Sequence, residues 1–166
     1  MLRYAGASLL PTLIGVPTWA QEAPARANDF WLRPRRIRLT HASGEKIESL
    51  YWSDGQLILP AYEELSFFMR DRVVHQGVYM SLTLLDILYG VGGWLEYFGV
   101  KSETILTSGY RDPVRSLSIE GAVKDGPHTK GEAGDIVIPG VNSLQTAKFG
   151  LWLGGGGVGW YPGKRF

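Results

Sequence analysis

The spacing of the apolar residues changes at Pro60, and that change limits the fold class more than any other feature. Residues 36–52 alternate apolar and polar side chains around a turn signal at residues 42–44, which predicts a β-hairpin. From Pro60 onward the apolar residues recur at helical spacing, first over residues 60–73 and then over residues 79–98. A strand pair followed by helices, without a regular strand–helix–strand repeat, indicates an α+β fold.

The second half of the chain adds shorter elements. Residues 111–127 are polar and poorly periodic, which indicates a loop or a loose helix. Glycines 154–157 are expected to end the helix that is predicted just before them. The predicted elements are strands at 103–108, 136–138 and 158–161 and a helix at 142–153. We therefore expect a small antiparallel sheet with flanking helices.

Composition excludes several classes of protein. A chain of 166 residues is long enough for one domain. Lys and Arg number 17 against 16 Asp and Glu, so the formal charge of +1 argues against nucleic acid as the main partner. The chain has no cysteine, which excludes disulfides, thiolate zinc sites and a cysteine nucleophile.

The N-terminus has the layout of a secretory signal. Residues 1–20 carry one charge, Arg3, then an apolar run, and small residues precede a possible cut before Gln21. A buried N-terminal helix is the alternative, but two prolines and a glycine within the run disfavour it. We expect residues 1–20 to be a signal peptide, residues 21–34 a linker and residues 35–166 the folded domain. Export to the periplasm follows, with no membrane span after signal removal.

Three histidines are available for chemistry, and one has a distinctive setting. His41 lies at a strand end and His75 just past a helix, so both are interpreted as surface or capping residues. His128 lies in residues 125–135, where a proline and glycines exclude a helix and a turn brings the imidazole close to Asp135. One nitrogen and one anionic oxygen are suitable ligands for zinc. A solvent-facing turn is the alternative.

Two further segments could contact a ligand. Arg111 follows a strand and a glycine turn, where a guanidinium can bind a carboxylate or polarise a carbonyl, or else form only a surface salt bridge. Residues 155–162 combine glycines with aromatic residues. They could border a groove for a polymer, or the aromatic rings could simply fill the core.

Taken together and in order, these segments resemble the DUF882 branch of the M15 peptidases, a murein endopeptidase group related to D-Ala-D-Ala carboxypeptidases. The resemblance runs through most of residues 35–166. Each match pairs a segment of this chain with a family motif: 37–45 with L-x-N-x-H-T-G-E, 68–71 with F-L-R-D, 108–111 with S-G-Y-R, 128–136 with the zinc motif H-x-x-G-x-A-x-D-I, and 156–162 with G-G-V-G-Y-Y-P.

The resemblance implies a hedgehog/D,D-peptidase type of fold and a zinc-dependent hydrolase that acts on peptidoglycan peptide stems outside the cytoplasm. It implies that His128 and Asp135 are metal ligands for Zn²⁺ and that Arg111 is catalytic, by stabilising the substrate carbonyl or the oxyanion. It also implies that substrate binding involves residues of the matched motifs, namely Ser108, Tyr110, Trp160 and Tyr161.

The sequence also departs from the family pattern. Gly126 stands where the family has Ser, and the loop at 112–127 lacks the start S-P-x-T-N. The third zinc ligand of the family is a His soon after the Y-P segment, and this chain stops at Phe166, so we expect it to be C-terminally truncated. An impaired zinc endopeptidase that binds zinc weakly is therefore one hypothesis, and a non-catalytic relative that binds peptidoglycan peptides is the other.

Overall fold

The computed structural model describes residues 29–118 and 125–161. Two compact units are distinguished along the chain, Met1–Leu32 and Arg33–Phe166. Of the first unit, residues 29–32 are described, and they form a helical turn.

The predicted signal peptide, residues 1–20, lies outside the described residues, as do residues 21–28 of the predicted linker. Both assignments stay predictions. Within the described part of the chain, no helix has the length and apolar character that a membrane span requires.

The second unit combines strands and helices in the order predicted for an α+β chain. Its helix α1 begins at Leu59 and has Pro60, which marks the change of period, in its first turn, where proline is well suited. The described elements are β1 Arg35–His41, β2 Lys46–Ser53, β3 Gln56–Leu57, α1 Leu59–Phe68, α2 Leu82–Tyr97, β4 Ile105–Ser108, α3 Pro113–Ser116, a 3-10 turn Pro127–Lys130, β5 Asp135–Val137 and α4 Ser143–Leu153.

The five strands form one sheet in the order β3-β2-β1-β4-β5. Three of its pairings are antiparallel, and β1 pairs with β4 in parallel. The α+β class with a small sheet and flanking helices is thus confirmed, although the sheet is mixed rather than wholly antiparallel. Parallel neighbours need a long crossover, and the two strands and two helices between β1 and β4 supply one.

The core lies where the helices cover the sheet. Alternate residues of the hairpin, such as Ile37 and Leu39, are buried, and the side chains between them are exposed or half-buried. Leu65 of α1 and Leu85 of α2 are fully buried in the same cluster as these strand residues. A second cluster joins the end of α2 to the segment after β5 through Val91, Leu95 and Ile138.

Two predicted elements need correction. The helical spacing extends to Val73, but α1 ends at Phe68 and Val73 is exposed. The carboxylate of Asp71 accepts a hydrogen bond from the Val73 amide, so a turn replaces the next helical turn. The strand predicted at 158–161 is also wrong, because this segment folds onto α4 through a side-chain hydrogen bond of Trp160 instead of pairing with a strand.

Candidate active site

The end of β4 and the start of β5 bring two of the predicted site residues together. Ser108 is the last residue of β4 and pairs with Asp135, the first residue of β5. The hydroxyl of Thr107 donates to the carbonyl oxygen of Asp135 at 3.2 Å. The sheet therefore holds the backbone that carries the Asp135 carboxylate in place.

His128 is carried on the 3-10 turn that precedes β5. This turn ends at Gly131, whose φ of +72° is a left-handed conformation that glycine adopts without strain. The carbonyl oxygen of Gly131 accepts a hydrogen bond from the Ser81 amide at 2.8 Å. A Cβ on residue 131 would lie 2.8 Å from a methyl of Val78, so the turn packs closely against the segment that leads into α2.

The imidazole of His128 is oriented by the backbone. Its Nδ1 lies 2.7 Å from the carbonyl oxygen of Gly109, which can only accept, so Nδ1 carries the proton and donates. The lone pair of the neutral ring is then on Nε2, which lies 3.5 Å from Oδ1 of Asp135. Such a bond to a carbonyl is the usual way in which proteins orient a metal-binding histidine.

Arg111 binds the other oxygen of the same carboxylate. Its Nη2 donates to Oδ2 of Asp135 at 2.7 Å, and its Nε donates to the hydroxyl of Ser108 at 2.9 Å. The side chain of Arg111 is 19% exposed, so the ion pair is shielded from most solvent. Four predicted site residues thus form one cluster in which Asp135 is shared by an arginine and a histidine.

The two facing donors fit a tetrahedral metal. Ligand atoms about 2.0–2.2 Å from zinc at tetrahedral angles are about 3.3 Å apart, close to the 3.5 Å between Nε2 of His128 and Oδ1 of Asp135. A nitrogen lone pair and a carboxylate oxygen at this distance also favour a cation between them. Among the described residues, no group of three or more His, Cys, Asp or Glu side chains could hold a metal ion.

The remaining predicted substrate residues lie in different surroundings. Tyr110 is 7% exposed and belongs to the main core cluster, and burial raises the pKa of its hydroxyl, as do Asp112 and Asp71 nearby. Trp160 donates from Nε1 to the hydroxyl of Ser143 at the start of α4, at 3.1 Å. Trp160 is half-exposed, and exposed Tyr161 lies with its ring against Gly159. A role for these three side chains in substrate binding stays a prediction.

Of the other two histidines, His41 ends β1 next to a turn and His75 lies within a turn. In the turn after β1, Nδ1 of His41 lies 2.8 Å from the hydroxyl of Ser43 and accepts from the Ser43 amide at 3.0 Å. Partial burial lowers the pKa of His41, and the nearby Arg72 guanidinium lowers it further. His75 is exposed at a φ of +58° in the turn after α1.

One important residue was not among the predicted site residues. Asp71 is 2% exposed, and its Oδ2 accepts from the amide of Asp112 at 3.0 Å and from Nη1 of Arg115 at 2.9 Å. Burial alone would raise the pKa of this carboxyl, but the amides of Asp112 and Val73 and the Arg115 guanidinium together lower it. The signal was present in the sequence, since Asp71 is the last residue of the segment that matches F-L-R-D.

Comparisons with known proteins identify the family of this chain. A family model described as peptidoglycan L,D-endopeptidase MepK, of the M15 peptidases, matches residues 31–166. The peptidoglycan L,D-endopeptidase MepK of Escherichia coli K12 is 32% identical over 97% of this chain and 84% of its own length, and the protein of the same name from Shigella flexneri gives the same values. A probable MepK from Haemophilus influenzae is 31% identical over 63% of this chain and 57% of its own length.

No solved structure gives a significant match. The family model spans well over half of the chain, and the Escherichia coli relative exceeds 30% identity across nearly all of it. The chain therefore belongs to the M15 peptidase family of the MepK type.

Proposed function

We propose that this protein is a zinc-dependent endopeptidase that cleaves L,D-peptide bonds in peptidoglycan. The observation that carries the proposal is the pairing of Nε2 of His128 with Oδ1 of Asp135 at 3.5 Å, beside the guanidinium of Arg111. The names of the relatives supply the substrate class and the bond type. Family membership makes the peptidase activity the expected use of these residues.

In this proposal, His128, Asp135 and Arg111 have separate roles. His128 and Asp135 would hold the zinc ion, with the imidazole oriented by Gly109 and one carboxylate oxygen oriented by Arg111. Zinc supplies a Lewis acid that polarises an amide carbonyl and makes water a better nucleophile at neutral pH. Arg111 has five N–H donors, and those not bound to Ser108 or Asp135 can donate to the substrate carbonyl as negative charge develops on its oxygen.

The proposed location follows from the proposed substrate. Peptidoglycan peptide stems lie outside the cytoplasm, so the protein would act in the periplasm after export. The signal-like composition of residues 1–20 supports export independently of the site.

The second candidate function is binding of peptidoglycan peptides without cleavage. The described residues bring two protein donors together, whereas a catalytic zinc site has three protein ligands and water. We therefore expect the 166-residue chain to hold zinc less tightly than a three-ligand site does. If zinc is too weakly held for catalysis, the same site would bind peptide stems without cleaving them.

Purified muropeptides test the proposal directly. The protein is incubated with zinc and with cross-linked muropeptides that contain either an L,D or a D,D bond in the bridge, and the products are separated by liquid chromatography and mass spectrometry. We expect cleavage of the L,D-linked substrate, and we expect His128→Ala and Arg111→Lys to abolish it or reduce it strongly, since lysine cannot make the same two bonds.

A matched control removes a histidine outside the site. His75→Asn keeps a residue that tolerates the left-handed conformation and should leave cleavage unchanged. Cleavage that survives His128→Ala would overturn the proposal. Binding of the muropeptides without any cleavage would establish the second candidate instead.

A further inference from the structure

Three consecutive backbone amides around Arg111 are all bound, two by the segment just after α1 and one by the turn that carries His128. The Tyr110 amide donates to the carbonyl oxygen of Met69 at 2.8 Å, and the Arg111 amide donates to the carbonyl oxygen of His128 at 3.1 Å. The Asp112 amide donates to a side chain, the carboxylate of Asp71, at 3.0 Å. The backbone that carries the guanidinium is therefore fixed on both sides of Arg111.

Asp71 connects two segments through its two carboxylate oxygens. Oδ1 accepts from the Val73 amide at 2.9 Å, which holds the turn that ends α1. Oδ2 accepts from the Asp112 amide and from Nη1 of Arg115, both after β4. A single buried carboxylate thus joins the end of α1 to the segment that carries Arg111 and α3.

Close packing makes this connection rigid. A Cβ on Gly109 would lie 2.2 Å from the carbonyl oxygen of Met69, so the two backbones touch directly next to the Asp71 connection. Asp112 also caps α3, since its Oδ1 accepts from the amides of Val114 and Arg115. A displacement of the Asp112 backbone would consequently move both α3 and the guanidinium of Arg111.

We propose that Asp71 is a positioning residue that sets the orientation of Arg111 toward Asp135 and the substrate carbonyl. This inference rests on the proposed function, in which Arg111 stabilises charge on the substrate. Asp71 itself acts through the Asp112 amide and makes none of its described hydrogen bonds to His128 or Asp135. Its removal should therefore impair the catalytic step more than metal binding.

A double-mutant cycle separates positioning from general structural damage. We expect Asp71→Asn to lower kcat by about 10- to 100-fold with a KM change of less than about threefold, because small misplacements of a catalytic group have large effects on rate. In an Arg111→Ala background the same Asp71→Asn change should alter the residual rate by less than about twofold. Equal loss in both backgrounds would overturn the proposal.

Asp86→Asn is the matched control. Asp86 also receives bonds from an arginine and a second donor, Nη1 of Arg35 at 2.7 Å and the hydroxyl of Tyr51 at 2.6 Å, but it lies in α2. We expect the kcat of the Asp86→Asn variant to equal that of the unchanged protein. A fall in kcat as large as that of Asp71→Asn would show that loss of any such carboxylate is enough, and would overturn the proposal.

A second variant and a spectroscopic measurement keep the test independent of folding and of activity. If Asp71→Asn does not fold, Arg115→Gln removes one donor to the same oxygen, and it should lower kcat in the same direction by a smaller factor. In ¹⁵N NMR spectra, Asp71→Asn or Arg115→Gln should shift the Nε–H resonance of Arg111 and speed hydrogen exchange at the Asp112 amide. Zinc affinity should change by less than about threefold.

The outcomes distinguish the two proposals. If the unchanged protein does not cleave muropeptides, the proposed function fails, and the Arg111 resonance and the Asp112 exchange rate decide whether Asp71 positions the guanidinium. An Arg111 resonance and an Asp112 exchange rate that are the same in the variants and in the unchanged protein would overturn the positioning role, whatever the activity.

Discussion

The backbone amide of Arg111 donates to the carbonyl oxygen of His128 at 3.1 Å. In return, the ring of His128 donates to the carbonyl oxygen of Gly109, two residues before Arg111. The segment that carries the guanidinium and the turn that carries the imidazole therefore fix each other's position. Because these two bonds link the segments, the effects of substitutions at Arg111 and His128 should not be additive.

Loss of one metal donor should greatly weaken zinc binding. We expect His128→Ala and Asp135→Asn each to raise the dissociation constant for zinc by at least about tenfold. Loss of a group that only hydrogen-bonds to a metal ligand already lowers metal affinity by roughly 10- to 100-fold. Competition with a chromophoric chelator measures the change. Zinc binding that is unaltered in both variants would show that the facing pair at 3.5 Å is not the zinc site.

The contact between Gly109 and Met69 should not tolerate a side chain. An added Cβ would lie 2.2 Å from the Met69 carbonyl oxygen, so Gly109→Ala should lower the free energy of unfolding by about 3 kcal/mol and reduce activity. Gly92→Ala is the control, since a Cβ there meets nothing within 4 Å and α2 should gain about 0.5–1 kcal/mol. Urea denaturation of both variants measures the difference, and similar midpoints would contradict it.

Position 131 should not tolerate a side chain, both because of its backbone conformation and because of its close neighbours. Gly131→Ala combines a φ of +72° with a Cβ 2.8 Å from Val78, whereas Gly140→Ala has a φ of +78° in open space. We expect Gly140→Ala to cost about 1 kcal/mol from the backbone alone. Gly131→Ala should cost clearly more and lower zinc affinity, because it displaces the His128 turn. Equal losses of stability, measured by thermal unfolding, would leave no role for the packing.

The stability contributed by Asp71 should depend on pH in the acid range. The pKa of this carboxyl is lowered from its ordinary value of 3.8, so the folded state favours the charged form. The contribution is therefore fully present above the unfolded pKa and is lost as the pH falls through the folded pKa. We expect Asp71→Asn to be less stable than the unchanged protein by about 2 kcal/mol at pH 6.

Thermal unfolding between pH 2 and pH 6 checks the sign of this effect. The difference between the two proteins should stay constant above about pH 5 and shrink below the ordinary pKa of 3.8. A difference that grows toward low pH would show that Asp71 is bound in its neutral form.

The sequence predicted the fold class because its periodic segments are long. The alternation in the hairpin and the helical spacing around Leu85 and Leu88 reflect faces that the core buries. The parallel pairing of β1 with β4 could not be predicted in this way, since alternation records which face is buried and not which strand lies alongside. The prediction of a strand at 158–161 was wrong because the apolar pattern does not show which element the segment contacts. Trp160 bonds to Ser143 of α4 and not to a strand.

The candidate site was predicted in part. The spacing between His128 and Asp135 indicated a turn that brings their side chains together, and Ser108 and Arg111 join them. Asp71 was not predicted as a site residue because the donors to its Oδ2 lie 41 and 44 residues further along the chain, and its match to F-L-R-D does not record those contacts. Only the packing of the α1 end against the segment after β4 makes this carboxylate part of the site.

The parallel contact between β1 and β4 has a consequence for how the protein acquires activity during folding. Thr40 of β1 pairs with Ile105, with β2, β3, α1 and α2 between them in sequence, whereas β1 and β2 are neighbours along the chain. Local pairings form quickly and distant ones slowly, because loop closure must precede them. The hairpin should therefore form early, and the site at the β4–β5 end should be completed late. An incompletely folded chain would then have no means of cutting the cell wall.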